Sequence, residues 1–265
     1  MKLGIVMPVV LQNRALLDVT IEAAAHLKSR HAATLYVVCN RLHVCLPQAL
    51  QEALEPHFAG VVRVLHEAGV ERSVAGAWNH GCAGALADGM DYVAIVANDT
   101  RVREDCLDTL IAYGEGGASG GIDLWSGVSY NNRGEIDSSQ TADGADFSCF
   151  MIRPATLVKH GLFDSNYRPA YFEDNDYYGR VVLGGGHCRV VHAAQFFHHG
   201  SMTVRQDAEM AHHVSHWFEK NREYFRRKWG VSQPENSREG VLERYHRRPF
   251  NDPAKPLSWF PSDRE

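Results

Sequence analysis

Short apolar runs alternate with stretches of helical spacing through the first hundred residues. The apolar runs are rich in β-branched and aromatic side chains, which favour buried strands. They cover residues 3–10, 33–39, 60–65 and 92–97. Between them, the spacing of hydrophobic and small residues predicts helices at 20–28, 47–54 and 73–88. Strands that alternate with helices indicate βαβ units, so we predict an α/β fold with a mostly parallel sheet flanked by helices.

The second half of the chain has a different pattern. It predicts strands at 147–152 and 190–197, a short helix at 154–160 and a long amphipathic helix at 208–229. Two glycine-rich or polar segments, 114–121 and 129–144, are expected to be loops, and five prolines near the C-terminus indicate an extended tail. We therefore expect a main domain over residues 1–206 and a C-terminal helix with a basic tail, over 207–265, that packs on it.

The composition is typical of a soluble globular protein. The 265 residues are 45% hydrophobic and 22% charged, which excludes wholesale disorder, and no apolar run is long enough to span a bilayer. The start of the chain is too short and too proline-interrupted for a secretory signal. Six scattered cysteines without a Cys-x-x-Cys pair indicate reduced thiols. These features predict a cytoplasmic protein without a transmembrane segment.

The charge is distributed unevenly along the chain. The formal net charge is -5, but residues 220–248 contain nine basic and four acidic side chains. This basic segment is either an ordinary solvated face or a docking site for anionic lipid headgroups, an anionic glycan or nucleic-acid phosphates. Because so few charges support only weak, salt-sensitive contacts, nucleic-acid binding is the least favoured of these. Peripheral contact with the inner face of a membrane is an alternative location.

Two predicted strand ends carry side chains that bind metals. Asp99 follows the strand at 92–97, and ligands of parallel α/β sheets bind at the carboxyl ends of the strands. Its carboxylate suits Mg²⁺ or Mn²⁺, and an alternative role for Asp99 is to cap the following helix. His198 and His199 end the strand at 190–197, and imidazole is a ligand for Mn²⁺ or Zn²⁺. These positions are candidates for one metal site.

An acidic cluster follows two aromatic residues in the segment 171–180. Glu173, Asp174 and Asp176 lie within four residues, and such clustering serves a cation, a general base or both. If the segment begins a helix, the carboxylates gain from the positive end of the helix dipole, and Arg180 can pair with Asp176. The alternative is an acidic helix start with a solvated face, which the neighbouring aromatic residues disfavour.

Several short motifs occur in a characteristic order. They are Met7-Pro8, 76–81, 91–100, 151–154 with 161–164, 172–176 with Arg180, 198–201 and 225–230. Each motif is weak alone, but together they resemble the GT-A glycosyltransferases of the broad family 2 type over roughly residues 2–230. The resemblance implies a GT-A, Rossmann-like fold with a C-terminal helical extension.

The resemblance implies a metal site. Asp99 is similar to the last acid of the family's Asp-x-Asp motif, with Ala97 where the first acid often stands. His198 is similar to the family's metal ligand on a later strand, and His199 is the fallback. The expected cofactor is Mn²⁺ or Mg²⁺, which bridges the phosphates of a nucleoside-diphosphate sugar and stabilises the leaving diphosphate.

The resemblance also implies catalytic and acceptor residues. Asp174 is similar to the family's catalytic base, which takes the proton of the acceptor hydroxyl in a single displacement that inverts the anomeric carbon. Glu173 and Asp176 are expected to orient the acceptor or support the base. Asp146 and Arg180 are candidate contacts to the acceptor.

A third set of residues is expected to bind the donor. They are Pro8, Val9, Asn40, Arg72, Trp78, Asn79, Asn98 and Asp99. Many relatives have an aspartate where Asn40 stands, which accepts a hydrogen bond from uracil or thymine, so the base of the donor stays open. Trp78 is equally expected as a core residue. The predicted partners are a nucleotide-sugar donor and an acceptor that is a glycan, a lipid-linked glycan or another anionic molecule.

Other classes of protein fit the sequence less well. A nucleotide-binding oxidoreductase needs Gly-x-Gly-x-x-Gly directly after the first strand, and residues 7–12 contain no glycine. A sugar-nucleotidyltransferase needs a glycine-rich phosphate loop there. A catalytically weak carbohydrate- or nucleotide-sugar-binding module is the non-enzyme alternative. The favoured hypothesis is an inverting hexosyl- or pentosyltransferase.

Overall fold

The computed structural model describes residues 1–11, 13–40, 47–67, 73–116, 121–131, 135–202, 205 and 208–229. Two predictions lie outside these residues, namely the role of Arg72 in donor binding and the extended basic tail after residue 229. Among the helices that are described, none combines the length and the apolar composition of a membrane span.

The described residues form nine strands and seven α-helices. The strands are β1 (Lys2–Val9), β2 (Ala32–Cys39), β3 (Val61–Leu65), β4 (Tyr92–Val96), β5 (Thr100–Val102), β6 (Ile122–Ser129), β7 (Thr141–Asp143), β8 (Cys149–Ile152) and β9 (His187–His198). The helices are α1 (Arg14–His26), α2 (Pro47–Leu54), α3 (Val74–Ala87), α4 (Cys106–Glu115), α5 (Pro154–His160), α6 (Glu173–Leu183) and α7 (Ala208–Trp229). Side-chain oxygens of Asn13 and Ser73 cap the starts of α1 and α3.

The strands join in one sheet of order β3-β2-β1-β4-β8-β6-β9-β5, with β7 paired to β9. Strands β3, β2, β1 and β4 are parallel, as the alternation of strands and helices predicts. Strand β8 is antiparallel to both of its neighbours, β9 is parallel to β6, and β5 and β7 are antiparallel to β9. The predicted α/β fold is confirmed, with a parallel first half of the sheet and a mixed second half.

Both faces of the sheet are covered by apolar side chains. On one face, Ile5 and Trp125 belong to a buried cluster with residues of α1, α2 and α4. On the other face, Val6 and Phe150 belong to a cluster with residues of α3 and α6. Helix α3 approaches β1 closely, since a Cβ atom at Gly81 would lie 2.3 Å from a methyl carbon of Val6. This packing holds the strand ends in fixed positions.

Some elements differ from the sequence-based expectations. Strand β6 was not predicted, because a serine and a glycine interrupt its apolar run. Strand β7 lies inside the expected loop 129–144, and its three exposed residues have no apolar pattern. Four described cysteines are free and buried, but Cys39 is disulfide-bonded, so the expectation that every thiol is reduced is wrong at Cys39.

Helix α7 packs on the main domain through an aromatic cluster. Phe225 and Trp229 of α7 are buried together with Tyr167 and Phe172. The two α7 residues are one helical turn apart and therefore lie on the same face. The cluster joins the end of α7 to Tyr167 and to Phe172, the residue before α6.

Candidate functional site

A cavity of about 700 Å³ lies at the carboxyl ends of β1, β2 and β4. Its walls also include residues around β7 and β8, the start of α6 and the start of α7. Ligands of open α/β sheets bind at this edge, where several chain segments converge. The predicted site residues that line the cavity are Pro8, Val9, Asn40, Trp78, Asn98, Asp99, Asp146, Glu173, Asp174 and His198.

Asp99 and His198 form a pair in this cavity. Strand β5 pairs with β9 so that Thr100 lies opposite His198, and this register brings the preceding Asp99 beside the imidazole. Asp99 Oδ1 and His198 Nε2 are 3.1 Å apart, and the Met202 N–H donates to Asp99 Oδ2 at 3.2 Å. Ser148 Oγ lies 3.1 Å from His198 Nδ1 and orients the ring. The sequence predicted the pair but not Ser148.

The pair favours its charged forms. Burial, the largest influence on both groups, favours the neutral forms of Asp99 and His198. Their mutual hydrogen bond and charge outweigh burial, so the pKa of Asp99 is lowered and the pKa of His198 is raised. The carboxylate is therefore available as an anionic ligand.

The separation within the pair fits a divalent cation. An oxygen and a nitrogen that each lie about 2.1 Å from one cation, at roughly right angles, are about 3.0 Å apart. This is close to the 3.1 Å between Asp99 Oδ1 and His198 Nε2. The described residues contain no group of three or more His, Cys, Asp or Glu that could hold a metal. The described part of the chain thus brings two candidate ligands together, fewer than such a group contains.

The neighbours of the pair have structural contacts. The backbone N–H of His199 donates to the Asp99 carbonyl at 2.9 Å, and its ring meets Phe197 edge-on. His199 does not line the cavity, so the fallback ligand is not placed there. Asn98 lines the cavity, and its Nδ2 donates to Thr20 Oγ1 of α1 at 3.0 Å. That hydrogen bond ties the end of β4 to a helix.

Helix α6 begins at the cavity. Tyr171 and Phe172 have φ values of 78° and 76°, in the left-handed region that non-glycine residues rarely adopt. Glu173 and Asp174 follow directly and line the cavity. Asp174 is half-buried, and its Oδ1 accepts a hydrogen bond from the Asn175 N–H at 2.8 Å. Both carboxyl groups lie in the first turn of the helix, where the dipole favours negative charge.

The two carboxyl groups have different environments. Glu173 is only 6% exposed, and its Oε2 has no hydrogen-bond partner among the described residues. Burial, followed by the charge of Asp174, raises the pKa of Glu173 well above its usual range. Burial thus disfavours the charged form of Glu173, whereas Asp174 has access to solvent.

Asp176 and Arg180 lie away from the cavity lining, although the sequence predicted contacts with the acceptor. The predicted pair is present, with Arg180 Nε 3.0 Å from Asp176 Oδ2. Asp176 Oδ1 is 2.6 Å from Lys228 Nζ and 2.9 Å from Trp229 Nε1, and Arg180 Nη1 donates to the His160 carbonyl at 2.8 Å. Both side chains are buried among these partners, so Asp176 joins α6 to α7 and Arg180 joins α6 to the end of α5, instead of facing the cavity.

The nucleoside end of the predicted donor site is partly polar. Pro8 and Val9 line the cavity at the end of β1, beside Asn40 at the end of β2. The Asn40 N–H donates to the Val9 carbonyl at 2.9 Å. The buried Asn40 Oδ1 has no hydrogen-bond partner in the described part of the chain. A buried unpaired carbonyl is costly, so it is a suitable acceptor for a ligand N–H.

Two predicted donor residues are held by the core. Trp78 borders the cavity but is only 5% exposed, and it packs against Phe147, Phe150 and Phe163. Asn79 does not line the cavity. Its Oδ1 accepts the Phe163 N–H at 2.9 Å and its Nδ2 donates to the Phe163 carbonyl at 2.8 Å. Asn79 therefore fixes the segment between α5 and α6 instead of meeting a donor.

The remaining side of the cavity contains residues that sequence reasoning missed. The predicted Asp146 is present there, and its Oδ1 accepts the Ser148 N–H at 3.0 Å. The additional polar or aromatic lining residues are Asp143, Phe147, Ser148, Tyr171, Asn175, Tyr178, His192 and Ser201. They come from several separate elements and share no periodic pattern, so no signal in the sequence groups them together.

No protein-family model and no curated protein sequence matches this chain. Solved structures do match it. S. aureus TarS is 15% identical over 75% of this chain and 36% of that chain, with a TM-score of 0.54. A structure of S. aureus TarS 1–349 is 13% identical over 92% and 78% of the two chains, with a TM-score of 0.53.

GalNAc-T7, solved with UDP, GalNAc and Mn²⁺, is 14% identical over 98% of this chain and 56% of that chain, with a TM-score of 0.59. This chain therefore spans about a third of the full TarS chain and about half of GalNAc-T7. The neighbours are glycosyltransferases, and at such low identity the similarity concerns the fold alone. The chain has a GT-A-like glycosyltransferase fold.

Proposed function

We propose that this protein is a glycosyltransferase that moves a sugar from a nucleoside-diphosphate donor to an acceptor hydroxyl, by a metal-assisted single displacement with inversion. The observation that carries the proposal is that Asp99, His198 and Asp174 line one cavity at the sheet edge. A cation-binding pair and a carboxylate base are the groups that sugar transfer from a diphosphate needs. The GT-A-like fold supports this chemistry over other uses of the cavity.

The ends of β1 and β2 suit the nucleoside of the donor. Pro8 and Val9 offer apolar surface, and Asn40 offers a buried carbonyl oxygen without a described protein partner. The N3–H of uracil or thymine is a donor that matches this acceptor. A uridine or thymidine diphosphate sugar is therefore the favoured donor, and the GalNAc-T7 structure was solved with UDP.

The charge of the cavity supports metal assistance. No lysine or arginine is among its described lining residues, whereas Asp99, Asp146 and Asp174 are. A diphosphate would be repelled from such a cavity unless a cation offset the negative charge. Asp99 and His198 would hold Mn²⁺ or Mg²⁺, and a bound ion of this kind supplies Lewis-acid stabilisation of the diphosphate.

Asp174 is the proposed general base. The acceptor oxygen attacks the anomeric carbon, its proton moves to the Asp174 carboxylate, and the bond from the anomeric carbon to the diphosphate oxygen breaks. One displacement of this kind inverts the configuration at that carbon. Glu173, whose buried Oε2 has no partner among the described residues, would orient the acceptor through a hydrogen bond.

The lining favours an uncharged acceptor over the anionic one that the basic segment suggests. The described residues 220–229 of that segment do not line the cavity. Asp146 and Asp174 would repel a phosphate or carboxylate on the acceptor. Tyr171, which is 37% exposed, and Tyr178 offer rings against which the apolar face of a sugar packs. We therefore propose the hydroxyl of a neutral glycan.

A panel of nucleotide sugars tests the proposed function. UDP-, dTDP- and GDP-sugars are mixed with the protein and Mn²⁺, and thermal stability is measured with and without EDTA. Release of nucleoside diphosphate is then followed with water, neutral oligosaccharides and sulfated oligosaccharides as acceptors. We expect UDP- or dTDP-sugars to raise the melting temperature, and EDTA to abolish this increase. Release of nucleoside diphosphate should be faster with the neutral oligosaccharides than with the sulfated ones.

Asp174→Asn tests the base, with Asp91→Asn as the matched control. Asp91 accepts the Lys2 N–H at 2.8 Å at the opposite edge of the sheet. The Asp174 variant should lose about 100-fold or more in turnover and bind the nucleotide sugar as the wild type does. Retained turnover would exclude Asp174 as the base. Nucleotide-sugar binding without any turnover in the wild type would favour the binding module.

A further inference from the structure

One face of α7 lies against the chain that leads into α6. Asn221 is 2% exposed, and Phe225 and the Lys228 side chain are fully buried. These positions are separated by about one helical turn each and so lie on one side of the helix. Their partners lie between Asp164 and Asp176, the stretch that contains Asp174. Buried polar groups of α7 therefore contact the segment that carries the proposed base.

The Asn221 side chain forms hydrogen bonds with the backbone before α6, and we call this set of contacts the Asn221 clamp. Its Oδ1 accepts the Arg168 N–H at 3.1 Å. Its Nδ2 lies 3.0 Å from the Arg168 carbonyl, 2.8 Å from the Ala170 carbonyl and 3.3 Å from the Tyr171 carbonyl. One amide thus contacts four backbone groups of a loop that has no regular secondary structure, and its two N–H bonds are shared among three carbonyls.

This clamp acts where the backbone is unfavourable. Tyr171 and Phe172 have left-handed φ values of 78° and 76°, a conformation that persists only when surrounding contacts impose it. Asn221 holds the Tyr171 carbonyl, and Phe218 of α7 packs against both aromatic rings. These two residues set the direction in which the chain enters α6. The position of Glu173 and Asp174 at the cavity therefore depends on contacts from α7.

A second contact fixes the first turn of α6. Lys228 Nζ is 2.6 Å from both Asp164 Oδ2 and Asp176 Oδ1, and Trp229 Nε1 is 2.9 Å from Asp176 Oδ1. Asp176 is two residues after Asp174 in the same turn. Ionic contacts between buried groups resist displacement, because moving one partner leaves a charge uncompensated.

We infer that Asn221 is a positioning residue for catalysis, through which α7 sets the base-bearing turn of α6 at the cavity. The inference rests on the proposed function, in which Asp174 is the base. The inference gives α7 a role in the site in addition to its aromatic packing. Met210 and Val214, near the start of α7, also line the cavity. The donor end of the cavity, at β1 and β2, has no contact with Asn221 among its hydrogen bonds.

Asn221→Asp provides the test. It keeps the shape and Oδ1 of the side chain but removes the N–H groups that serve three carbonyls. We expect kcat for nucleoside-diphosphate release, with the best donor and acceptor of the panel, to fall by about 100-fold, as for small misplacements of catalytic groups. The donor KM should change by less than about 3-fold, because the donor end is untouched. In Asn221→Gln, the amide is moved by one methylene. We expect kcat to fall there too, but by less than in Asn221→Asp, while the donor KM again changes little.

Tyr36→Phe is the control for a lost buried hydrogen bond. The Tyr36 hydroxyl donates to Asp88 at 2.5 Å and contributes nothing to the cavity lining, so its kcat should stay within about 2-fold of the wild type. An Asn221→Asp protein with unchanged kcat, or with kcat and donor affinity reduced equally, overturns the inference. If Asn221→Asp does not fold, Asn221→Gln decides by the same criteria. An inactive wild type would instead refute the proposed function.

Discussion

Lys228 is a fully buried cation, and its replacement by methionine should strongly destabilise the protein. Methionine fills a similar volume but removes a charge that lies 2.6 Å from Asp164 Oδ2 and 2.6 Å from Asp176 Oδ1. Breaking a buried ion pair costs about 3–5 kcal/mol of the free energy of unfolding, because the partner is left as a buried charge. Here Asp164 loses the cation beside it, whereas Asp176 keeps Arg180. For a protein of this size that loss lowers Tm by about 6–20 °C.

The loss should depend on pH. Burial, the largest influence, would raise the pKa of Asp164, but the charge and hydrogen bond of Lys228 outweigh it and the pKa is lowered. In the wild type, Asp164 thus stabilises the fold above its unfolded pKa, about 3.9, and loses this effect as the pH falls through the folded value. In Lys228→Met, only the hydrogen bonds from the Asn166 N–H and the Tyr224 hydroxyl still oppose burial. Because burial is the largest influence, we expect the folded pKa of Asp164 to rise above the unfolded one. Protonation of Asp164 then stabilises the folded variant. The difference in free energy of unfolding between the wild type and Lys228→Met should therefore be smaller at pH 5 than at pH 7.

Urea unfolding followed by circular dichroism at pH 7 and pH 5 measures both effects. Lys220→Met, at an exposed position of α7, is the control and should change stability by less than about 1 kcal/mol. Lys228→Met combined with Asp164→Asn should recover about 1–3 kcal/mol relative to the single variant. A deficit below 1 kcal/mol, or one that is equal at both pH values, would refute the ionic account of this contact.

Two further predictions concern the cavity. Ser148→Ala removes the hydroxyl that lies 3.1 Å from His198 Nδ1. Loss of this supporting hydrogen bond should weaken Mn²⁺ binding, measured by calorimetric titration, by about 10-fold or more. An unchanged affinity for Mn²⁺ would contradict His198 as the proposed metal ligand. Trp78→Ala should lower the free energy of unfolding, measured in urea, by about 3–5 kcal/mol, because the ring is 5% exposed and packs on three phenylalanines. A loss of donor affinity without a loss of stability would instead support the predicted role of Trp78 in donor binding.

Much of the fold follows from local patterns. Apolar runs separated by helical stretches predict the four parallel strands, because burial on both faces of a sheet requires such runs. The same patterns put Asp99 and Asn40 at strand ends and Glu173 and Asp174 at a helix start, all of which line the cavity. Strands β6 and β7 escaped prediction, since the first is interrupted by small residues and the second is three residues long.

Local patterns do not show how polar side chains from distant segments meet. The Asp99–His198 pair depends on the antiparallel register of β5 on β9, strands far apart in the sequence. Asp176 and Arg180 carry charged side chains of the kind found in active sites, yet they are buried among contacts with α7 and the end of α5.

The sequence by itself therefore determined the four parallel strands and most of the helices, and that acidic groups and histidine gather at strand and helix ends. The tertiary structure alone decided which of these groups face the cavity and which hold the fold together. Hydrophobic periodicity is a local property, because it reports which face of an element is buried. Hydrogen bonds and ion pairs instead join groups from distant segments, as Asn221 and Lys228 do for the turn that carries Asp174.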